Sequence, residues 1–216
     1  MSTDSKPRLH TRAYEIESVL EDDEHFRLIG QLRDVNPNGL WGIGANEPLT
    51  IHHMQVELLV LASTLTIVDV SVEMLVRPQL ECRDILPAYD QLIGLSIARG
   101  FTHKVREMFG GPRACTHIGA LLNAMAPVAV QSLWSFFGAR QALAAEAGVA
   151  AETTEARQGP NSDDFARNRN TCHVWADEGP MFARMDRGED MPAPLWAIER
   201  LGEKGVPVEI WRKNHH

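Results

Sequence analysis

The chain is short of the residues that announce several specialised classes. Its three cysteines, Cys82, Cys115 and Cys172, are odd in number, far apart and without a Cys-x-x-Cys pair. That excludes a disulfide framework and fits reduced thiols in a cytoplasm. No Gly-x-Gly-x-x-Gly and no phosphate-binding loop occurs, so no nicotinamide or nucleotide cofactor is expected. Lys and Arg form no stripe and the net charge is −8, which argues against a nucleic-acid partner. The polar stretch from Met1 to Leu9, with Pro7, lacks a hydrophobic signal core. No apolar run is read as reaching the roughly 18 residues of a membrane span. The expectation is a cytoplasmic protein with a small-molecule partner and neither nucleic acid nor membrane.

What is present suffices for a core. With 216 residues, 44% of them hydrophobic, the chain can fold as one domain without staples. Residues 12–20 alternate polar and apolar, the acidic run Glu21-Asp22-Asp23-Glu24 interrupts them, and Phe26 to Leu32 resumes the pattern, as in a β-hairpin with an acidic turn. Leu32-Arg33-Asp34 is expected to end that strand, ahead of the turn signal Asn36-Pro37-Asn38-Gly39. Asp34 then stands at a strand end, a favourable place for a site residue, although an Asx turn is the plainer local reading. In a second hairpin, His52, Met54, Val56, Leu58 and Val60 share one face and Val68, Val70, Val72, Met74 and Val76 another. This points His52 inward and His53 outward.

Helical spacing follows. Tyr89, Leu92, Ile93 and Ile97 predict an amphipathic helix that Pro87 starts and Gly100 ends, and Phe101, Val105 and Met108 a shorter one closed by Gly110-Gly111. Ile118, Leu121, Leu122, Met125, Val128, Ala129, Leu133 and Phe136 form the stripe of a long helix from about 117 into the 140s, with Thr116 as its N-cap and Pro127 as a kink. Cys115 and His117 would lie at the positive end of its dipole. The predicted fold is α+β: an antiparallel sheet of two β-hairpins packed against a helical layer with one long helix. Residues 1–11 are read as a flexible N-terminus and 12–148 as the α+β core domain. Residues 149–216 are read as a lid or wrapping segment of the same domain, with Asn170 to Trp175 returning a strand to the sheet. His52 is expected to approach His117 within about 10 Å, the reach of one bridging molecule.

Several of these motifs, Leu32-Arg33-Asp34, Ile51-His52-His53-Met54, Pro78, Cys82, Leu92-Ile93-Gly94-Leu95-Ser96 and Gly110-Gly111-Pro112-Arg113-Ala114-Cys115-Thr116-His117, occur in one order. Together with Asn170-Thr171-Cys172-His173, they resemble the bacterial family called domain of unknown function 2889, over roughly residues 12 to 173. Where the family pattern reads Gly-Cys-Thr-His-Leu, this chain has Ala114-Cys115-Thr116-His117-Ile118, which preserves the turn provided that position 114 needs no positive φ. The resemblance implies a shared fold and a shared set of polar positions; it names no reaction.

Three functions compete on these residues. The first is a cofactor-independent acid/base enzyme of lyase type, with Asp34, His52, Cys115, His117 and His173 as catalytic groups. Trp41, Tyr89, Arg113 and Trp134 would bind a small apolar or aromatic molecule. One version releases formaldehyde from a lignin-derived aromatic. The second is a zinc- or iron-dependent hydrolase or lyase whose ligands are His52, Cys115, His117 and His173. The third is a non-catalytic small-molecule-binding or assembly protein, a homodimer through the sheet edge or the long helix.

Overall fold

Strand β1, Thr11–Leu20, turns back at an acidic corner into β2, His25–Asn36, and the two pair antiparallel. The corner is built by its own acids. Asp22 Oδ1 accepts the backbone N–H groups of Glu24 and His25 at 2.8 and 2.7 Å, and Arg27 grips Glu21 through two hydrogen bonds. The run is thus a turn device of the kind short carboxylates favour. Strand β2 does not stop at Asp34 as expected but runs two residues further. The turn that ends it lies at Asn36 to Gly39, where Asn36 Nδ2 donates to the Gly39 carbonyl and Gly39 adopts φ +56°. A Cβ on Gly39 would sit 2.3 Å from the Ala45 carbonyl oxygen, so only glycine fits this turn.

Strands β3, Leu49–Leu61, and β4, Thr66–Val76, complete a meander in the order β1-β2-β3-β4. On β3 the even positions from Met54 to Val60 are buried, as the alternation predicts. On β4 the expected even face is broken: Ile67 is buried and Val68 is exposed. The cause is a register shift opposite Leu59 and Val60, which pairs Leu59 with Asp69 but Val60 with Ile67. One displaced residue exchanges the faces of a strand.

The computed structural model describes residues 6–40, 44–98, 100–147 and 168–210. Its helical layer differs from the sequence reading first after β4. A 3-10 helix, Leu80–Leu92, stands where an α-helix over 88–97 was expected. The chain from Ile93 to Ile97 instead hydrogen-bonds to the start of β4: Gly94 N–H to the Ile67 carbonyl, Ile67 N–H to Leu95, and Ile97 N–H to Leu65. Ile93 is consequently exposed and Ile97 buried. Gly100, at φ +86°, begins helix α1, Phe101–Phe109, rather than ending the one before it.

Helix α2, Thr116–Glu146, lays Ile118, Leu121, Leu122, Met125, Ala129, Leu133 and Phe136 into the core, and Cys115 rather than Thr116 occupies the cap position. The helix comes so close to β2 that a Cβ on Gly30 would lie 2.6 Å from Met125 Sδ and 3.2 Å from Leu121 Cδ1. Contrary to the sequence reading, α2 is by length and composition long and apolar enough to cross a membrane, although 33% of its most apolar window is buried inside the protein.

The chain divides into two compact units, Met1–Val149 and Ala150–His216. The first holds the sheet, the 3-10 helix, α1 and α2. In the second, Asn170 and Asp177 bind each other through side chain and backbone, closing the loop around a 3-10 turn at His173–Trp175. The strand expected there does not form. Helices α3, Pro180–Asp186, and α4, Leu195–Glu203, follow. Of the stretch read as a lid or wrapping segment, residues 149–167 and 211–216 lie outside the described residues.

Candidate active site

The hairpin registers set three polar side chains side by side. Arg12 on β1 pairs with Asp34 on β2, and Asp34 with His52 on β3. Residues directly opposite in neighbouring strands share a face, so the row continues the apolar inner face formed by Phe26, Leu28 and Leu32. The first turn of α2 lies over that end and adds His117. Its position is fixed from below, where the Cys115 N–H donates to Tyr89 Oη at 3.1 Å and the fully buried Tyr89 ring packs against Phe109. Ala114, the departure from the family pattern, has extended backbone and needs no glycine.

Asp34 is the centre of the cluster and is only 1% exposed. Arg12 Nε and Nη2 donate to its two oxygens, each at 2.7 Å. His52 Nδ1 and His117 Nε2 approach Oδ2 at 3.2 and 3.3 Å, and His10 Nε2 approaches Oδ1 at 3.3 Å. The His52 and His117 rings stack, with centroids 3.8 Å apart and planes inclined by 28°. His117 Nδ1 faces Cys115 Sγ at 3.7 Å. Despite its nearness to Asp34, the buried His52 Nδ1 makes no hydrogen bond.

Electrostatics follow from these contacts. The Arg12 hydrogen bonds, opposed by burial, hold the Asp34 carboxyl down at about 2, so it is ionised across the physiological range. The same pairing raises Arg12. Burial first, and the adjacent His52 next, lower His117, which favours its neutral ring near pH 7. A neutral imidazole beside a permanent carboxylate can take a proton and be held in one orientation while doing so.

The sequence-predicted residues divide clearly. Asp34, His52, Cys115 and His117 come together, and Asp34 is the hub rather than an Asx turn. Tyr89 is a fully buried support under the helix start. Arg113 is exposed and donates to the Arg106 carbonyl, tying the Gly110–Gly111 turn to α1. Trp134 is 50% exposed and 17 residues beyond His117. At the helical rise this places it about 25 Å along α2 from the cluster. His173 and Cys172 belong to the second unit, and Trp41 lies outside the described residues. Among the described residues the ligand group that assembles is Asp34, His52 and His117, whose ligand atoms all lie within 4.8 Å of one another; Cys115 stands outside it.

Arg12 and His10 were missed. The register of a hairpin closed at residues 21–24 puts Arg12 opposite Asp34, and period two puts His10 on the same face, so both were reachable once β2 was carried past Asp34. Two surface depressions, of about 320 and 330 Å³, lie between β4 and the 3-10 helix. None of Asp34, His52 and His117 lines either one.

The model of a family described as Protein of unknown function (DUF2889) matches residues 10–131. No curated protein and no solved structure matches. The matched span contains His10, Arg12, Asp34, His52, Cys115 and His117 and ends before Cys172-His173. It covers more than half of the chain, which belongs to the DUF2889 family.

Proposed function

We propose that this protein is an acid/base enzyme of lyase type whose proton-transfer groups are His117 and His52, with Asp34 as their common anchor. The observation that carries the reading is the stacked imidazole pair at 3.8 Å over one buried carboxylate. At that separation a charge on His52 disfavours a second charge on His117, which leaves His117 as the base. That is the equipment of a base that removes a proton and an acid that returns one. Asp34 orients both rings, Arg12 keeps Asp34 ionised, and Cys115 Sγ meets the second nitrogen of His117.

The substrate we propose is a small aromatic molecule bearing a hydroxymethyl group. His117 takes the hydroxyl proton, the bond between the hydroxymethyl carbon and its neighbour breaks, and the carbon departs as formaldehyde. The electron pair stays on the neighbouring carbon, conjugated with the ring, where an imidazolium N–H returns a proton. Atoms and charge balance without an oxidant or reductant. The proposed setting is cytoplasmic, with no nucleic-acid or membrane partner.

The test pairs turnover with melting. Formaldehyde release is assayed across a panel of hydroxymethyl-bearing aryl compounds, for the unmodified protein and for His117→Gln. Turnover that disappears in a variant melting within a few degrees of the parent supports the reading. A variant that keeps full turnover sinks the role of His117, and a panel that binds without reacting favours a binding protein.

A further inference from the structure

We infer that Asp34, His52 and His117 also form a binding site for one divalent transition-metal ion of the zinc, cobalt or iron(II) class. This capacity goes beyond the acid/base reading and does not rest on it. The three ligand atoms are Asp34 Oδ2, His52 Nδ1 and His117 Nε2, with each nitrogen 3.2 or 3.3 Å from the oxygen. Ligands bound at about 2.0–2.2 Å around one tetrahedral or octahedral ion are about 3 to 3.5 Å apart when adjacent. Both nitrogen-to-oxygen spacings are those of adjacent ligands around a shared ion, and all three atoms lie within 4.8 Å of one another.

A second observation points the same way. The buried His52 Nδ1 is aimed at Asp34 and makes no hydrogen bond. Buried polar atoms rarely stay orphaned, and a metal ion would satisfy this one. The surroundings suit ligation as well. Ligating carboxylates are held by outer hydrogen bonds, and Arg12 supplies two to Asp34; the free nitrogen of a ligating histidine has its own partner, and His117 Nδ1 has Cys115 Sγ at 3.7 Å. Each carboxylate oxygen keeps a lone pair beyond the one Arg12 occupies. Two imidazoles and one carboxylate select borderline transition metals over calcium or magnesium and leave coordination positions open. A bound ion would take the nitrogen lone pairs used for proton transfer in the acid/base reading, so metal and proton compete for the cluster.

The test is a Co²⁺ titration of chelator-treated full-length protein carrying no polyhistidine tag, followed by visible ligand-field absorption. The expected result is one ion per chain, with affinity falling by about 100-fold or more in His52→Gln and in His117→Gln. The double variant His215→Gln, His216→Gln, which removes the adjacent histidines near the C-terminus, should bind as the parent does. No saturable binding, binding kept by both site variants, or binding lost with the tail pair overturns the site. If a site variant loses its fold by circular dichroism, the unmodified protein decides: Co²⁺ must broaden the ring resonances of His52 and His117, and broadening elsewhere alone overturns the inference. The two readings fail separately. Absence of Co²⁺ binding leaves the acid/base reading standing, whereas formaldehyde release that requires added metal overturns that reading and upholds this one.

Discussion

The inner face of the sheet has an apolar middle and a polar end, and the two are built on different terms. In the middle, Leu28, Leu32, Val56 and Leu58 meet Leu121, Leu122 and Met125, all fully buried. Each contributes through area removed from water and close packing, about 1.5–3 kcal/mol per side chain. At the end, Asp34 is as deeply buried, yet a buried carboxylate contributes little net stability even when paired. The middle repays its burial in folding, whereas at the end ion pairing with Arg12 offsets the cost of burying a charge. Such a contrast is what a functional constellation on a rigid scaffold looks like.

The sharpest way to break this comparison is to change one residue in each region and read both activity and melting. His117→Gln should lower the proposed turnover by about 10²- to 10⁴-fold while leaving the melting temperature within a few degrees. Leu121→Ala should do the reverse. Its cavity lies against Gly30 and the other core residues, and the expected loss is about 2–5 kcal/mol in denaturant unfolding, with cluster chemistry retained in the fraction that stays folded. Equal effects of both variants on both readouts would erase the distinction between scaffold and site.

Much of this contrast was legible in the sequence, and the failures have physical causes. Period two in Met54 to Val60 and helical spacing from Ile118 to Phe136 predict the two layers, because burial on one face leaves a periodic trace. Inward His52 and helix-start His117 follow from the same periodicities. The hub was harder to see, because Asp34 beside a turn signal looks like turn chemistry until the strand is carried two residues further. Arg12 and His10 become visible only through strand register, a non-local property. The bulge at Leu59 and Val60 left no residue-type signal, so Val68 was misread as inward, whereas Val70, Val72 and Met74 do face the core. The 3-10 helix at Leu80–Leu92 has helix-like apolar spacing, and what replaces the α-helix after it is backbone pairing with β4, which periodicity does not encode.

Tyr89 joins the two regions, since it is buried like the middle but serves the end. Burial raises its phenol from the ordinary 10.0 to about 12. Between those values the unfolded chain has released the proton that the folded chain keeps. The contribution of Tyr89 is therefore intact below pH 10 and is lost as pH rises to about 12, by roughly 2–3 kcal/mol. Urea unfolding across pH 9 to 12 checks this, with Tyr89→Phe as the flat control. That variant should also cost about 1 kcal/mol at neutral pH, because the Cys115 N–H loses its acceptor.

Gly30→Ala tests how tightly the helix is pressed on the sheet. Met125 Sδ is flexible and can move, but Leu121 Cδ1 at 3.2 Å closes the other side, so the expected cost is about 1–3 kcal/mol. A neutral result would mean that α2 can shift. Because α2 also carries His117, the His52 and His117 ring resonances should then be seen to move.

The smallest expected effect belongs to Trp134, and it is diagnostic because sequence reading favours the opposite. An aromatic on the long helix invites assignment to a ligand wall. Yet it is half exposed and stands some five turns from His117. Trp134→Ala should change stability by about 0.5 kcal/mol or less and leave both turnover and Co²⁺ binding at parental values. If turnover instead fell tenfold with melting unchanged, the reacting molecule would have to extend along α2, and the site would include the exposed half of the helix as well as the polar end of the sheet.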